Sequence, residues 1–450
     1  MTAAPTPLWR TYLAFLVPMM LSNILQALFG TLNNVYLGQL IGVNALAAVS
    51  VFFPILFFLI SFIIGLGAGS SVLIGQAWGA GRRDTVKTVA GTAFSVALLG
   101  GLAIALFGGL FAPHLMTLLA TPPDIMAEAT HYARIMMIAM PVTFAFILAT
   151  SLTRGVGDTV TPLVALGVST VIGLIATPAL ILGWFGLPRL GVSSAAVASA
   201  VSSTGTLVWY GLYLRSKNHP LAPDATFLRG MRIDAKLLPT ILRLGIPTAV
   251  QIASMALAEI VLLGLVNGFG SDATAAYGAI NQVISYVQFP AISIAITASV
   301  FAAQAIGRGQ ADRIDAITRT GLILNLVLTG TLAVLGYALS RIIMGFFITS
   351  PPVIDLAQRS LHIVLWSSVV FGMSGVFSGV MRASGTVFAP TALSISAIAL
   401  IEVPSAQILS RMIGLDGVWF AYPITFCAML TLQASFYLLI WRKRPIERLV

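Results

Sequence analysis

Acidic side chains are scarce in this sequence: 14 of its 450 residues are Asp or Glu, against 24 Lys or Arg. Cysteine is scarcer still. The single Cys427 excludes a disulfide framework and a thiolate metal cluster, and in its late apolar stretch it is expected to pack. The four histidines, His114, His131, His219 and His362, are scattered, and no HExxH, GxxxxGKS/T or GxSxG pattern occurs. Zinc, P-loop and serine-nucleophile chemistry therefore lack their residues, and no metal site or organic cofactor is expected.

What is abundant is hydrocarbon. Hydrophobic residues make up 58% of the chain and charged ones 8%, against about 45–50% and about 25% in soluble domains. Twelve stretches, from Tyr12–Leu37 to Val418–Trp441, are long and apolar enough to cross a bilayer as helix, which takes about 20 residues. The first is too long for a signal-peptide core and lacks a small-residue cleavage site, so it should be retained. The expected fold is an all-α polytopic membrane protein with twelve transmembrane helices in two pseudo-symmetric six-helix lobes. Residues 1–214 form the first lobe, 215–236 a cytoplasmic inter-lobe loop, and 237–450 the second lobe.

The net charge of +10 would suggest nucleic acid if the basic residues formed a patch on a soluble domain. Here they report topology instead. With both termini cytoplasmic, 19 of the 24 fall on the inner side, and only Arg134, Arg189, Arg341, Arg359 and Arg411 fall outside. A multi-pass protein of the cell inner membrane is expected, with the lipid bilayer as its surroundings and no nucleic-acid partner.

The two lobes are copies. Gln76–Asp84 reads QAWGAGRRD and Gln304–Asp312 reads QAIGRGQAD, an offset of 228 that also carries Arg154 onto Arg382, Gly157 onto Gly385 and Pro162 onto Pro390. The offset is 229 near the start of each half (Pro18 to Pro247) and 226 near the end (Pro178 to Pro404). Such a period means one module written twice. Two copies of six spans insert in the same orientation, and a cavity between such lobes is the usual route in transporters. The duplicated glycines read as helix caps, and Arg154 and Arg382 read as headgroup anchors. Gly65, Gly67 and Gly69, inside a span with no strand before them, read as close helix packing.

Twelve of the 14 acids sit in cytoplasmic segments or at external helix ends. Glu259 and Glu402 remain. Glu259 lies 16 residues past Arg243, or about 24 Å of helix rise, and Glu402 lies near the middle of the eleventh span. A carboxylate in hydrocarbon costs at least ~2.5 kcal/mol, so a proton or cation competes to neutralise it. Both are ion-coupling candidates, with a hydrogen-bonded helix tie as the bland alternative. Amide and phenol side chains that could line a wet cavity are Gln251, Tyr277, Asn281, Gln282 and Tyr286 in the second lobe, and Gln26 and Asn33 in the first span; each could equally bridge helices.

Taken with its order of motifs, the chain resembles the multidrug and toxic compound extrusion (MATE) family of secondary transporters. The residues that carry the resemblance are Leu46-Ala47-Ala48 opening the second helix, QAxGxG after it, and Arg154-Gly-Val-Gly-Asp-Thr-Val-Thr-Pro162 after the fourth. The resemblance covers essentially the whole chain. It implies export of organic, often cationic, amphipathic compounds in exchange for protons or sodium, and it puts Glu259 on the family's acidic position in the seventh helix and Gln282 on the typical Gln of the eighth. Departures are equally informative. Asn33 stands where many members hold Asp, Gly173 and Thr177 stand where an Asn/Asp pair is common, and Phe371 stands where some hold an Asp.

By the repeat, Glu402 corresponds to Ala176, next to Thr177. The family's first and fifth helices build one site, so symmetry makes the seventh and eleventh neighbours and brings Glu259 near Glu402. The expected function is that of a monomeric, cation-coupled antiporter, with protons favoured over sodium. A lipid-linked precursor flippase of the same superfamily is the alternative, disfavoured because no Lys or Arg sits deep in a span. A polytopic membrane enzyme or receptor is weaker again, because catalytic residues do not cluster.

Overall fold

The computed structural model describes residues 7–450, and no strand occurs among them. The long helices are α1 (Leu8–Leu40), α2 (Val43–Gly79), α3 (Arg83–Leu118), α4 (Met126–Ile138 with Met140–Gly155), α5 (Val160–Leu182) and α6 (Ser193–Ser216). They continue as α7 (Leu237–Asn267), α8 (Ser271–Gly307), α9 (Ala311–Phe347), α10 (Pro351–Ala383), α11 (Phe388–Ile413) and α12 (Leu415–Lys443). All twelve expected spans fall on helices. Among the described residues ten are long and apolar enough to cross a membrane alone, and α4, bent by 52° between its segments, makes an eleventh. The remaining helix, α6, has 24 residues, long enough to span, but its first half is rich in Ser and Thr and therefore less apolar.

Large apolar side chains are exposed along these helices, with Phe346 at 82% and Leu400 at 73%. In water such surfaces would aggregate; in a bilayer they face lipid. Cys427 is among the exposed residues, so it does not pack as expected.

The duplicated turns end helices as their glycines suggest. Gly81 and Gly309 take φ +74 and +75, which lets the amide of Arg82 reach Ala77 O and that of Gln310 reach Ala305 O, each at 2.9 Å. In the other motif Asp158 accepts from the amides of Val160 and Thr161 at 3.0 Å, satisfying free donors at the start of α5. Arg154 and Arg382, expected at headgroups, are each partly buried, and Nε of Arg382 has no partner among the described residues.

The chain divides into two compact units. One holds Leu21–Ala249; the other holds Val250–Val450 together with α1 up to Met20. The divisions fall just past Pro18 and Pro247, where each helix lacks a backbone donor.

In the Leu21–Ala249 unit, Gly65 and Gly69 of α2 let the backbone of α7 approach at Gly245. A Cβ at Gly65 would sit 2.5 Å from Gly245 O, and one at Gly69 would sit 2.8 Å from Gly245 N. Residues after α6 fold back onto this unit: Lys87 pairs with Asp224, and His219 Nε2 lies 3.6 Å from Asp158 Oδ2. Burial pushes the His219 imidazole below its usual value, with Asp158 opposing.

The end of α12 and the residues after it play the corresponding part on the other unit. Trp441 Nε1 donates to Ser384 Oγ at 3.0 Å, and Arg448 Nε donates to Ile306 O at 3.4 Å.

Candidate functional site

A polar stripe on α8 meets Glu259 of α7 inside the Val250–Val450 unit. On α8, Asn281, Ser285 and Gln288 share one face at i, i+4 and i+7; on α7, Met255 and Glu259 are one turn apart. With Tyr422 of α12 and Glu402 of α11 they line a cavity of about 300 Å³. Its apolar wall includes Phe371 of α10 and Phe426 of α12, whose rings pack at 5.1 Å between centroids. Helices α7 and α11 are neighbours here, joined by a buried cluster of Ala258, Ala397, Ile398 and Met429.

Glu259 is half-buried and held by two phenols. Tyr277 O–H donates to its Oε2 at 2.5 Å and Tyr422 O–H donates to the same oxygen at 3.1 Å, the two hydroxyls lying 3.1 Å apart. The shorter bond falls in the charge-assisted range for a hydroxyl on a carboxylate. Trp419, buried between them, packs on both tyrosine rings at 5.3 and 6.0 Å and so fixes the direction of the hydroxyls.

Glu402 reaches the cavity from a different local structure. Residues Ile398–Glu402 form a π-helical turn, and Pro404 follows. Proline cannot donate to the carbonyl four residues back and its ring crowds that carbonyl; the wider turn relieves both and places an ionisable side chain at the bulge, where π-turns are often found at functional sites. Glu402 is 5% exposed, and its carboxylate accepts no hydrogen bond from any described residue.

The other expected residues are spread out. Gln282 is not in the cavity lining. Gln251 is partly buried, and its Oε1 has no partner among the described residues. Tyr286 lines a separate, almost wholly apolar hollow of about 290 Å³, with Leu332, Leu335, Leu339, Ile343 and Phe347. In the other unit Gln26 is exposed, while Asn33 Oδ1 accepts from Thr177 Oγ1 at 3.0 Å. Gly173 beside them has no room for a side chain: a Cβ would sit 2.4 Å from the ring of Phe29. His362 hydrogen-bonds Ser340 Oγ at 2.9 Å and packs on Tyr337.

Tyr422 was missed by sequence reasoning. Its signal is faint but physical, since a phenol inside an apolar span must find a polar partner.

Long apolar helices around a buried acidic cavity define a polytopic membrane transporter. The sequence model of the MatE family matches residues 18–179 and again 247–408, one match in each copy, and the chain belongs to that family of multidrug efflux transporters. It is 44% identical over 444 residues to the "Probable multidrug resistance protein YoeA" of Bacillus subtilis (strain 168), covering 98% of this chain and 96% of that one. It is 28% identical over 417 residues to the "Probable multidrug resistance protein YpnP" of the same organism, covering 92% and 91%. A crystal structure of the Vibrio cholerae MATE transporter VcmN superposes with a TM-score of 0.90 at 19% identity, covering 97% and 98% of the two chains. That likeness speaks for the fold alone.

Proposed function

We propose that this protein is a proton-coupled antiporter of the inner membrane that exports small organic cationic or amphipathic compounds by alternating access. It works as a monomer with both termini in the cytoplasm. The observation that carries the proposal is the cavity of about 300 Å³ with two carboxylates, an aromatic wall, and no Lys, Arg or His in its lining. Such a lining suits a cation with apolar substituents, since apolar groups bind by burial and the acids supply orientation. It does not suit the pyrophosphate of a lipid-linked precursor.

Protons are favoured over sodium because a hard cation takes several oxygen ligands and would have to displace the phenols of Tyr277 and Tyr422 from Glu259 Oε2, whereas a proton needs one carboxylate oxygen, which the buried Glu402 supplies. Protonation shifts the inward–outward equilibrium only through differential affinity for the two states. Substrate affinity must therefore be lower in the state that protonation favours.

The test is transport by purified protein in proteoliposomes under imposed pH and sodium gradients, scored against a panel of organic cations. Accumulation driven by the pH gradient, and abolished by Glu259→Gln without loss of folded protein, is the expected result. Accumulation driven by sodium alone would refute proton coupling, and unchanged transport by Glu259→Gln would remove that residue from the mechanism.

A further inference from the structure

Glu259 and Glu402 share a cavity but not an environment. Two O–H donors converge on Glu259 Oε2, and hydrogen bonds to the ionised form favour that form. Glu402 is 5% exposed, faces the same cavity, and receives no donor from the described residues, so its charge would go uncompensated.

Besides the neutral Asn281, Ser285 and Gln288 of α8, the groups facing the pair from each neighbouring helix are few. Tyr277 comes from α8 and Tyr422 from α12, while α10 brings Phe371 and Val364; no basic side chain lines the cavity. The two acids must therefore be neutralised by something other than the protein's own cations.

We infer that the two carboxylates divide the work: Glu259, clamped by Tyr277 and Tyr422, is the standing anion that binds the substrate cation, and Glu402 is the site that takes up and releases the exchanged proton. This rests on the transport reading above. When Glu402 gives its proton to the cytoplasmic side, the cavity holds two negative charges and attracts the organic cation. When a proton returns to Glu402 from outside, one charge is cancelled, affinity falls and the cation leaves. One proton moves in for each substrate cation moved out. Tyr277 and Tyr422 are positioning residues, since they act through Glu259.

The experiment pairs Glu259→Gln with Glu402→Gln and reads two quantities for each. The first is equilibrium binding of tetraphenylphosphonium to detergent-purified protein across pH; the second is its movement in proteoliposomes, both as substrate-for-substrate exchange and as accumulation driven by a pH gradient. Glu259→Gln should weaken binding by roughly tenfold or more. Glu402→Gln should bind with the weaker affinity of the wild type at low pH, now independent of pH, should still exchange substrate for substrate, and should lose gradient-driven accumulation. Glu402→Asp, which keeps a carboxylate, should recover part of the accumulation. Wild-type binding measured without buffer, at a pH where affinity still rises with pH, should release a proton, which supplies a readout that needs no variant to fold.

The reverse pattern, or identical behaviour of the two Gln variants, would overturn the division of labour. So would a wild type that binds without proton release. If the wild type binds tetraphenylphosphonium but no gradient moves it, the transport reading fails while the binding comparison still decides between the two carboxylates.

Discussion

Replacing Gly65 by Ala puts a methyl group where α7 already is. The added Cβ would lie 2.5 Å from the carbonyl oxygen of Gly245 and 2.8 Å from both Cβ and N of Ala249. Ordinary contact begins near 3.4 Å, so α2 and α7 must separate by nearly 1 Å along this stretch. Most of the opposing atoms are backbone, so no rotamer change relieves the clash. Overpacking of this kind costs about 1–3 kcal/mol, and the better helix propensity of Ala returns up to about 1 kcal/mol. With backbone atoms opposing the methyl group the cost lies toward the upper end, and the net loss is up to about 2 kcal/mol, or up to roughly 8 °C in melting temperature for a unit of this size.

Gly167 supplies the control, because a Cβ there meets nothing within 4 Å; Gly167→Ala should be neutral or slightly stabilising. Gly67 is the intermediate case. Its Cβ would lie 2.7 Å from Ser151 Oγ, which can rotate away, and 2.9 Å from Ser151 Cβ, which cannot, so Gly67→Ala should fall between the other two. The assay is thermal melting of all three variants in one detergent. A Gly65→Ala protein that melts with Gly167→Ala would refute the close-approach reading of the Gly65–Gly245 crossing.

Three further outcomes are expected. Tyr277→Phe removes the shorter of the two hydrogen bonds to Glu259, and a bond to a charged acceptor contributes about 1.5–3 kcal/mol; it should weaken tetraphenylphosphonium binding at neutral pH more than Tyr422→Phe does, and the opposite order would contradict the geometry. His219 should make the protein less stable in mild acid. Its imidazole is held below the usual 6.5 by burial, so it is neutral in folded and unfolded chain above that pH; as pH falls through 6.5 the unfolded chain takes up a proton that the fold resists, and stability drops. His219→Gln should flatten the fall in melting temperature from about pH 7.5 to about pH 5.5, and an unchanged slope would assign the effect elsewhere. Trp441→Phe keeps a ring but loses the donor to Ser384 and Thr386; a loss of about 1 kcal/mol should appear as a modest drop in melting temperature, and no change would mean that water replaces both partners.

The fold was legible because duplication and hydropathy are properties of long stretches. Register errors of a few residues leave twelve helices intact, and the glycine turns at Gly81 and Gly309 follow from two motif copies with one conformational need. The cavity was legible only in part because it depends on which side of each helix a residue occupies. Asn281 and Gln282 are adjacent in sequence, yet a helix turns about 100° per residue. Asn281 therefore joins Ser285 and Gln288 on the cavity stripe, while Tyr286, one step round, lines the apolar hollow against α9.

Tyr422 lies on α12, where the other copy has Ala196 at offset 226, so the repeat carried no hint of it. The departures from the family pattern gain physical content from the structure. Asn33 and Thr177 satisfy each other, and the ring of Phe29 fills the space beside Gly173. A side chain added at Gly173 would first have to expel that ring. At Gly173 the absence of a polar side chain is thus matched by packing that leaves it no vacancy, whereas the corresponding α7–α11 pair encloses a cavity with two carboxylates. With Glu402 exchanging the proton, the copy without intramembrane acids is free to serve as packed scaffold, and Gly173→Asn should then lower stability without changing the pH dependence of transport. A shift of that dependence would return a proton-linked role to the first copy.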